Sequence, residues 1–243
     1  MQDVAVCIPA KDEADRIAAT VKAAQELPGA DLVVVIDDGS SDGTGRVARE
    51  AGARVVRHSR NRGKGAAMES GAEAVRLLDE GREQPRHLLF LDADLAETAR
   101  EAAPLVEPVR SGEADMTIAV FSTTVKLGGH GFVVRLSRDG IRRATGWEAT
   151  APLNGQRCLT RAAFDAALPL AAGFGVETAL TIDLLRAGFR VTEVEVPLAH
   201  RATGTDWRSQ MHRARQFRDV ARALAVREPA VAGGLDRLRG SRP

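Results

Sequence analysis

Two aspartates one residue apart follow an apolar run in the segment LLFLDADL, which spans Leu88 to Leu95. Side chains of an extended chain alternate between its faces, so Asp92 and Asp94 are predicted to project to one side, with Ala93 between them. Two carboxylates this close repel each other unless water, a donor or a cation lies between them. Hard oxygen ligands at this spacing suit Mg²⁺ or Mn²⁺, and such an ion can bridge the phosphates of a nucleoside diphosphate. The alternative is that one aspartate caps a helix and the other is solvated.

Two further acidic segments follow predicted strands nearer the N-terminus. In IPAKDEADR, Asp12 and Glu13 come just after Pro9 and Ala10. A backbone turn with a carboxylate is a suitable seat for a nucleotide base and its ribose. In IDDGSSDGT, Asp38 is predicted to accept a hydrogen bond from a base N–H. The alternative for the first segment is that Asp12 caps a helix while Glu13 favours the positive helix end.

Neither of two glycine-containing segments forms a complete nucleotide-binding motif. In NRGKGAA, Lys64 follows Gly63 and is predicted either to meet a phosphate or to be an ordinary surface lysine. The segment GTGRVA matches a dinucleotide-binding fingerprint, but the polar DGSSD replaces the tight strand-to-helix turn that this fingerprint requires. Its glycines are better explained by a turn followed by a helix with Ser41 or Asp42 as the N-cap.

Short apolar runs alternate with helical patterns, which predicts an α/β fold with a mainly parallel sheet covered by helices on both faces. The predicted strands are VAVCIP, DLVVVID, RVVRH, HLLFLD, MTIAVF and RVTEVEVP. The predicted helices cover about 12–27, 44–51, 65–79, 176–186 and 206–226. Ligands bind at the carboxyl ends of the strands in such sheets. All three acidic segments fall at such ends, so we expect them to form one site.

The composition is that of a globular protein, with 44% hydrophobic and 28% charged residues among 243 and a formal net charge of +1. This balance gives no electrostatic reason for a nucleic-acid partner, and we expect none. Cys7 and Cys158 are far apart in the sequence, which predicts buried thiols in a reducing compartment. We find neither a signal-peptide pattern nor a run of about 20 apolar residues, so we expect a cytoplasmic protein.

The segments IPAKDE, VVVIDDGSSDGT, NRGKGAA and LFLDADL, in this order and spacing, resemble the nucleotide-sugar-binding half of family 2-type glycosyltransferases of the GT-A fold. The resemblance covers roughly the first 120 residues. It implies that the first two acidic segments hold the nucleotide base, that Lys64 lines the nucleotide site, and that the D-x-D pair binds metal and diphosphate. The nucleotide-sugar contacts that we predict are Pro9, Ala10, Asp12, Glu13, Asp38, Gly63, Lys64, Asp92 and Ala93.

The second half resembles a subset of this family that includes polyprenyl-phosphate sugar transferases and glucosyl-3-phosphoglycerate synthases. The segments that carry this resemblance are LGGHGFV, APLNGQRCLTR, AAGFGVETALTIDLL and VPLAHR. The resemblance implies that His200 joins Asp94 on the metal; the alternative is a solvent-exposed histidine. Asp92 is predicted to contact ribose, metal or metal-bound water. Glu177 is predicted to accept from donor-sugar hydroxyls or to act as a base, or else only to complement a helix dipole. The predicted acceptor contacts are Gly128, Gly129, His130, Asn154, Gly155 and Gln156.

We predict one GT-A domain over 1–228, with a nucleotide-sugar-binding half at 1–120, an acceptor-binding half at 121–228 and a disordered tail at 229–243. The Arg-rich helix at 206–226 is predicted to pack its apolar stripe on this domain. The alternative is that it lies on an anionic membrane surface, at the inner face of the membrane. A homodimer is also open.

Together these features predict a glycosyltransferase that uses Mn²⁺ or Mg²⁺, with Asp94 and Glu177 as catalytic residues. It would move a sugar from a UDP- or GDP-linked donor to a small phosphorylated acid or a polyprenyl phosphate. The predicted acceptor loop departs from the synthase pattern at His130 and Gly131, so phosphoglycerate itself is not implied. One alternative is a pyrophosphorylase-like nucleotidyltransferase, whose glycine-rich signature after the first strand is missing. The other is a non-catalytic nucleotide-sugar-binding protein.

Overall fold

The computed structural model of this chain describes residues 3–121, 131–197 and 207–227, with the backbone alone for 207–214. The strands are β1 Val4–Ala10, β2 Ala30–Asp37, β3 Arg54–Arg57, β4 His87–Phe90, β5 Met116–Phe121, β6 Arg157–Leu159 and β7 Val191–Val196. The α-helices are α1 Ile17–Gln25, α2 Thr44–Glu50, α3 Lys64–Leu78, α4 Glu107–Arg110, α5 Gly131–Thr145, α6 Arg161–Ala166, α7 Val176–Arg186 and α8 Trp207–Arg227. Two 3₁₀ segments lie at Ala96–Leu105 and Gly173–Gly175.

The strands form one sheet in the order β3-β2-β1-β4-β6-β5-β7. β6 is antiparallel to both of its neighbours, and the other neighbouring pairs are parallel, which confirms the predicted mainly parallel sheet. No strand was predicted at β6, which is only three residues long. Its register pairs Arg157 with Phe90. Residues just before Arg157 therefore lie beside those just after Phe90, where the D-x-D pair begins.

Alternating side chains of β1 supply both layers of the core. Val4, Val6 and Ile8 belong to the cluster on one face of the sheet, and Ala5 and Cys7 to the cluster on the other. All five are fully buried, as expected for a central parallel strand.

The two cysteines are free and buried, as predicted. Burial raises the pKa of both the Cys7 and Cys158 thiols to about 12. The charge of Arg161 opposes this rise at Cys7, and a backbone hydrogen bond opposes it at Cys158. Both thiols are therefore neutral and unreactive at physiological pH.

The predicted helices are present, but two of their N-termini differ from the expectation. α1 begins at Ile17 and not near Asp12, which has a left-handed φ of 54° and does not cap the helix. The N-cap of α2 is Gly43, whose φ is 89°, and not Ser41 or Asp42. The carboxylate of Asp42 still accepts from the Thr44 amide at 3.0 Å, so it satisfies one amide of the first turn.

The Arg-rich helix α8 packs on the domain, which confirms that prediction. Val220 and Leu224 are 0% and 4% exposed. Leu224 fills the space beside Gly140 of α5. A Cβ added to Gly140 would lie 2.3 Å from the Leu224 Cδ2 atom. α8 ends at Arg227, so the predicted tail lies outside the described residues. Within the described ranges, no helix is both long enough and apolar enough to span a bilayer.

Candidate active site

The loops that follow β1 and β2 are joined by hydrogen bonds. The Asp12 carboxylate accepts from the Ser41 amide at 2.8 Å, and the Asp12 amide donates to Ser40 Oγ at 3.0 Å. The Glu13 amide donates to Thr44 Oγ1 at 2.9 Å. The bond from Ser41, more than any other contact, lowers the pKa of Asp12, so this side chain is ionised and holds the second loop. The two acidic segments therefore lie side by side, as the sequence predicts.

The Asp38 carboxylate is buried and already has several donors. Oδ1 accepts from the Arg62 amide at 2.8 Å, and Oδ2 accepts from the Gly63 amide at 2.9 Å. His58 Nδ1 lies 2.7 Å from Oδ1. Asp38 thereby ties the end of β2 to the loop that precedes Lys64. The predicted contact with a nucleotide base stays a prediction.

Lys64, the first residue of α3, connects two carboxylates from distant parts of the chain. Its Nζ lies 2.8 Å from Asp92 Oδ1 and 2.9 Å from Glu177 Oε1. Gln156 Nε2 donates to the other Asp92 oxygen at 2.7 Å. Burial alone would lower the pKa of Lys64, but attraction to Asp92 and Glu177 outweighs it and raises the pKa above that of an ordinary lysine. Lys64 is therefore a fixed positive charge.

The three predicted acceptor contacts before β6 pack against this cluster. A Cβ added to Gly155 would lie 2.2 Å from Lys64 Nζ and 2.9 Å from Asp92 Oδ1, so only glycine allows the close approach. Asn154 donates to the Ala119 carbonyl at 2.7 Å and accepts from the Gln156 amide at 2.9 Å. These contacts account for all three residues without an acceptor, whose recognition by them stays a prediction.

Asp94 lies differently from Asp92. Its side chain is 36% exposed, and its one ion pair among the described residues is to Arg16 Nη1 at 3.9 Å. Burial raises the pKa of nearby Glu13. The positive charge of Arg16 lowers this pKa, and the negative charge of Asp94 raises it further. Ala93, between the two aspartates, is buried, and its carbonyl accepts from Thr20 at 2.8 Å. The buried Ala93 anchors the D-x-D segment while Asp94 stays accessible.

A cavity of about 530 Å³ opens beside Lys64 and Asp92 at the carboxyl ends of the strands. Six of the predicted nucleotide-sugar contacts line it. The opposite wall includes Arg215 of α8 and the loop at Gly173 and Phe174, whose amide lies 3.3 Å from the Asp219 carboxylate of α8. The lining residues are Pro9, Ala10, Lys11, Asp38, Asn61, Gly63, Lys64, Ala67, Asp92, Gly173, Phe174 and Arg215.

Residues 5–164 match the family model described as glycosyl transferase family 2. The chain belongs to this family. The match covers the three acidic segments, the lysine segment and β6. It supports the predicted glycosyltransferase over the nucleotidyltransferase alternative.

Similar proteins agree with this membership. The glycosyltransferase AglJ of Haloferax volcanii is 33% identical over 211 residues, which cover 83% of this chain and 65% of AglJ. The glycosyltransferase AglD of the same organism is 38% identical over 124 residues, 46% of this chain and 19% of AglD. This family 2 chain thus spans less than two thirds of the length of these relatives.

A solved structure confirms the GT-A fold. Glucosyl-3-phosphoglycerate synthase from Mycobacterium tuberculosis, in complex with Mn²⁺, UDP and phosphoglyceric acid, superposes with a TM-score of 0.74 at 26% identity. The match covers 93% of this chain and 78% of the synthase. A second complex of the synthase contains Mg²⁺ and UDP, with a TM-score of 0.73.

Among the described residues of this family 2 glycosyltransferase, the D-x-D pair could contribute ligands to the divalent metal. Asp94 offers accessible carboxylate oxygens, which are ligands that Mg²⁺ and Mn²⁺ accept. The Asp92 oxygens are occupied by Lys64 and Gln156, which leaves Asp94 as the better ligand. Across the described ranges, no three His, Cys, Asp or Glu side chains are arranged to hold a metal. The predicted ligand His200 and the predicted acceptor contacts Gly128, Gly129 and His130 lie outside those ranges.

Sequence reasoning missed Arg157, which is fully buried in β6. Its guanidinium donates to the carbonyl oxygens of Asn154 at 2.8 Å, Glu177 at 3.0 Å and Pro152 at 3.1 Å. Burial lowers its pKa to about 10, an effect that Glu177 partly offsets, so it stays charged at neutral pH. Arg157 thus ties the loop before β6 to the first turn of α7. An arginine between Gln156 and the apolar Cys158 and Leu159 was the signal available in the sequence.

Replacing Arg157 with methionine should reduce the free energy of unfolding by about 3 kcal/mol or more, because the Asn154 and Pro152 carbonyl oxygens lose the guanidinium as a donor. The Glu177 carbonyl keeps the Thr181 hydroxyl as a donor at 2.9 Å. Urea unfolding followed by circular dichroism measures this change. The control is Arg142→Met, which removes an exposed guanidinium 3.9 Å from Asp139 and should change the free energy by less than about 0.5 kcal/mol. Equal midpoint shifts in the two variants would show that Arg157 has no special structural role.

Proposed function

We propose that this protein transfers a sugar from a UDP- or GDP-linked donor to an acceptor that carries a phosphate, with Mn²⁺ or Mg²⁺ as cofactor. The observation that carries the proposal is the position of Lys64 in the cavity wall, held by Asp92 and Glu177. Family membership and the Mn²⁺ and UDP complexes of the similar synthase support it.

In this proposal the cavity binds the diphosphate and orients the sugar. The ammonium of Lys64 offers positive charge to the diphosphate, and the loop after β1 receives the base and ribose. Asp94, with Asp92 and His200, would hold the metal, whose positive charge would stabilise the departing diphosphate. Glu177 Oε1 is paired with Lys64, so within the described part of the chain Oε2 is the oxygen available to accept from a sugar hydroxyl. This favours Glu177 as a sugar-orienting residue over a base.

For the acceptor, an exposed aromatic pair favours a polyprenyl phosphate over a small phosphorylated acid. Phe132 of α5 is 69% exposed and Phe217 of α8 is 38% exposed. Their rings stack with centroids 5.5 Å apart. Arg215, two residues before Phe217, lines the cavity and offers charge for a phosphate. The same pair supports contact of a cytoplasmic protein with the inner membrane face. The predicted homodimer stays a prediction.

The test is a set of thermal-shift and turnover measurements on the full chain with UDP- and GDP-linked sugars, with and without Mn²⁺. The correct donor with metal should raise the apparent free energy of unfolding by about 4 kcal/mol at a thousandfold excess over its Kd. Adding a short-chain polyprenyl phosphate or phosphoglycerate should then release UDP or GDP. Metal-dependent binding without release from any mixture would identify a binding protein, and no stabilisation would exclude the proposal.

A further inference from the structure

His58, which directly follows β3, joins two elements through a buried ring. Its side chain is 5% exposed. Nδ1 lies 2.7 Å from Asp38 Oδ1, and Nε2 lies 2.9 Å from Ser70 Oγ on α3. An ionised carboxylate can only accept, so Nδ1 is the donor to Asp38. The ring therefore sets the orientation of the Asp38 carboxylate relative to α3.

Asp38 in turn determines the shape of the loop that follows His58. Its oxygens accept from the Arg62 and Gly63 amides at 2.8 and 2.9 Å. A Cβ added to Gly39 would lie 2.7 Å from the Arg60 carbonyl carbon, so this loop contacts the turn after β2 backbone to backbone. A rotated Asp38 carboxylate would leave the Arg62 amide without this acceptor, whereas the Gly63 amide also donates to Asn61 Oδ1 at 2.9 Å.

The loop leads directly into Lys64. Gly63 has a φ of 89°, in the left-handed region, and precedes the first residue of α3. The Lys64 ammonium must reach Asp92 and Glu177 at 2.8 and 2.9 Å. Because α3 begins at Lys64, displacement of the Gly63 amide tilts the first turn of the helix and moves this ammonium.

We propose that His58 is a positioning residue, which orients Asp38 toward the Arg62 and Gly63 amides and so holds Lys64 in place before a nucleotide binds. The relay from Ser70 through His58 to Asp38 is a device for preorganisation, which raises affinity by reducing the ordering cost of binding. The effect of His58 on the loop is independent of the proposed function. The consequence for nucleotide affinity rests on the proposed function.

Two substitutions distinguish the role of Nδ1 from that of Nε2. His58→Asn keeps an amide N–H₂ near the position of Nδ1 and retains the bond to Asp38. His58→Gln places its N–H₂ near Nε2 and loses that bond. Amide hydrogen exchange of the ligand-free protein should be at least about tenfold faster at Arg62 in His58→Gln, since a bond to a charged group is worth roughly this factor. The increase at Gly63 should be smaller, because its amide also donates to Asn61 Oδ1 at 2.9 Å. His58→Asn should exchange within about threefold of the wild type.

The matched control is His87, a buried histidine at the opposite end of the sheet whose Nδ1 has no hydrogen-bond partner within the described ranges. His87→Gln should leave exchange at Arg62 and Gly63 unchanged. Ser70→Ala keeps the Asp38 bond but frees the ring, and should give a smaller increase than His58→Gln.

Affinity for UDP with Mn²⁺, measured by calorimetry, provides the second readout. His58→Gln should bind about tenfold more weakly than the wild type, and His58→Asn should recover most of this loss. Equal exchange rates in the Asn and Gln variants would overturn the proposal, as would faster exchange spread evenly over α3 in His58→Gln. If the wild type binds no UDP, the proposed function fails. The exchange data still test whether His58 orients Asp38 and the loop before Lys64.

Discussion

Replacement of Asp94 by asparagine is expected to lower kcat by about a hundredfold to a thousandfold while the fold stays intact. The accessible carboxylate of Asp94 has only the 3.9 Å pair to Arg16 among the described residues, so little native structure depends on its charge. In the proposed function, its negative charge is needed when a divalent cation and a diphosphate occupy the cavity. The measurement is the rate of UDP or GDP release across a titration of Mn²⁺, with the melting temperature recorded in parallel.

The control for Asp94→Asn is Glu97→Gln, which neutralises an exposed carboxylate three residues further along. It should keep wild-type turnover and the same dependence on Mn²⁺. Full activity of Asp94→Asn at every metal concentration would remove Asp94 from the mechanism. A loss that higher Mn²⁺ reverses would support its role as a metal ligand.

Gly155→Ala is expected to reduce turnover by about a hundredfold, although it adds only one methyl group. The new Cβ would lie 2.2 Å from Lys64 Nζ and 2.9 Å from Asp92 Oδ1, so the ammonium must leave its position between Asp92 and Glu177. Lysine is flexible, so the stability cost should be only about 1–3 kcal/mol. Misplacement of a charged group by about 1 Å can reduce a rate about a hundredfold. Kinetics and urea unfolding of the same preparation measure both effects.

Gly112→Ala separates a loss of stability from a loss of site geometry. Gly112 has a φ of 76°, and an added Cβ would meet no atom within 4 Å. The substitution should cost about 1–2 kcal/mol of stability through its backbone and leave turnover unchanged. If both glycine variants lose stability and activity in parallel, the Gly155 effect is a folding effect, and the close packing at Lys64 is not functional.

The sequence determined most of the strands and helices and the edge of the sheet at which the candidate site lies. Apolar runs such as LLFL predict buried strands, and acidic residues at or just after the ends of three of these runs mark their carboxyl ends. These patterns depend on neighbours a few residues apart, so they are visible in the chain itself. The D-x-D pair and the α7 range Val176–Arg186 were predictable for this reason. The start of α1 was not, because the amides of residues 12–14 donate to side chains that follow β2, and these bonds hold the segment in a non-helical conformation.

Only the tertiary structure decided which charges meet. Lys64 and Glu177 are far apart in the chain, yet they contact each other because α3 and α7 pack on the same face of the sheet. The short antiparallel strand β6 brings Gln156 to Asp92, and no local pattern predicts that pairing. The fold also showed that Asp38 anchors the loop before Lys64, a role that no local pattern in the sequence indicates. Periodicity reports the face on which a side chain lies, whereas its partner depends on how distant elements pack.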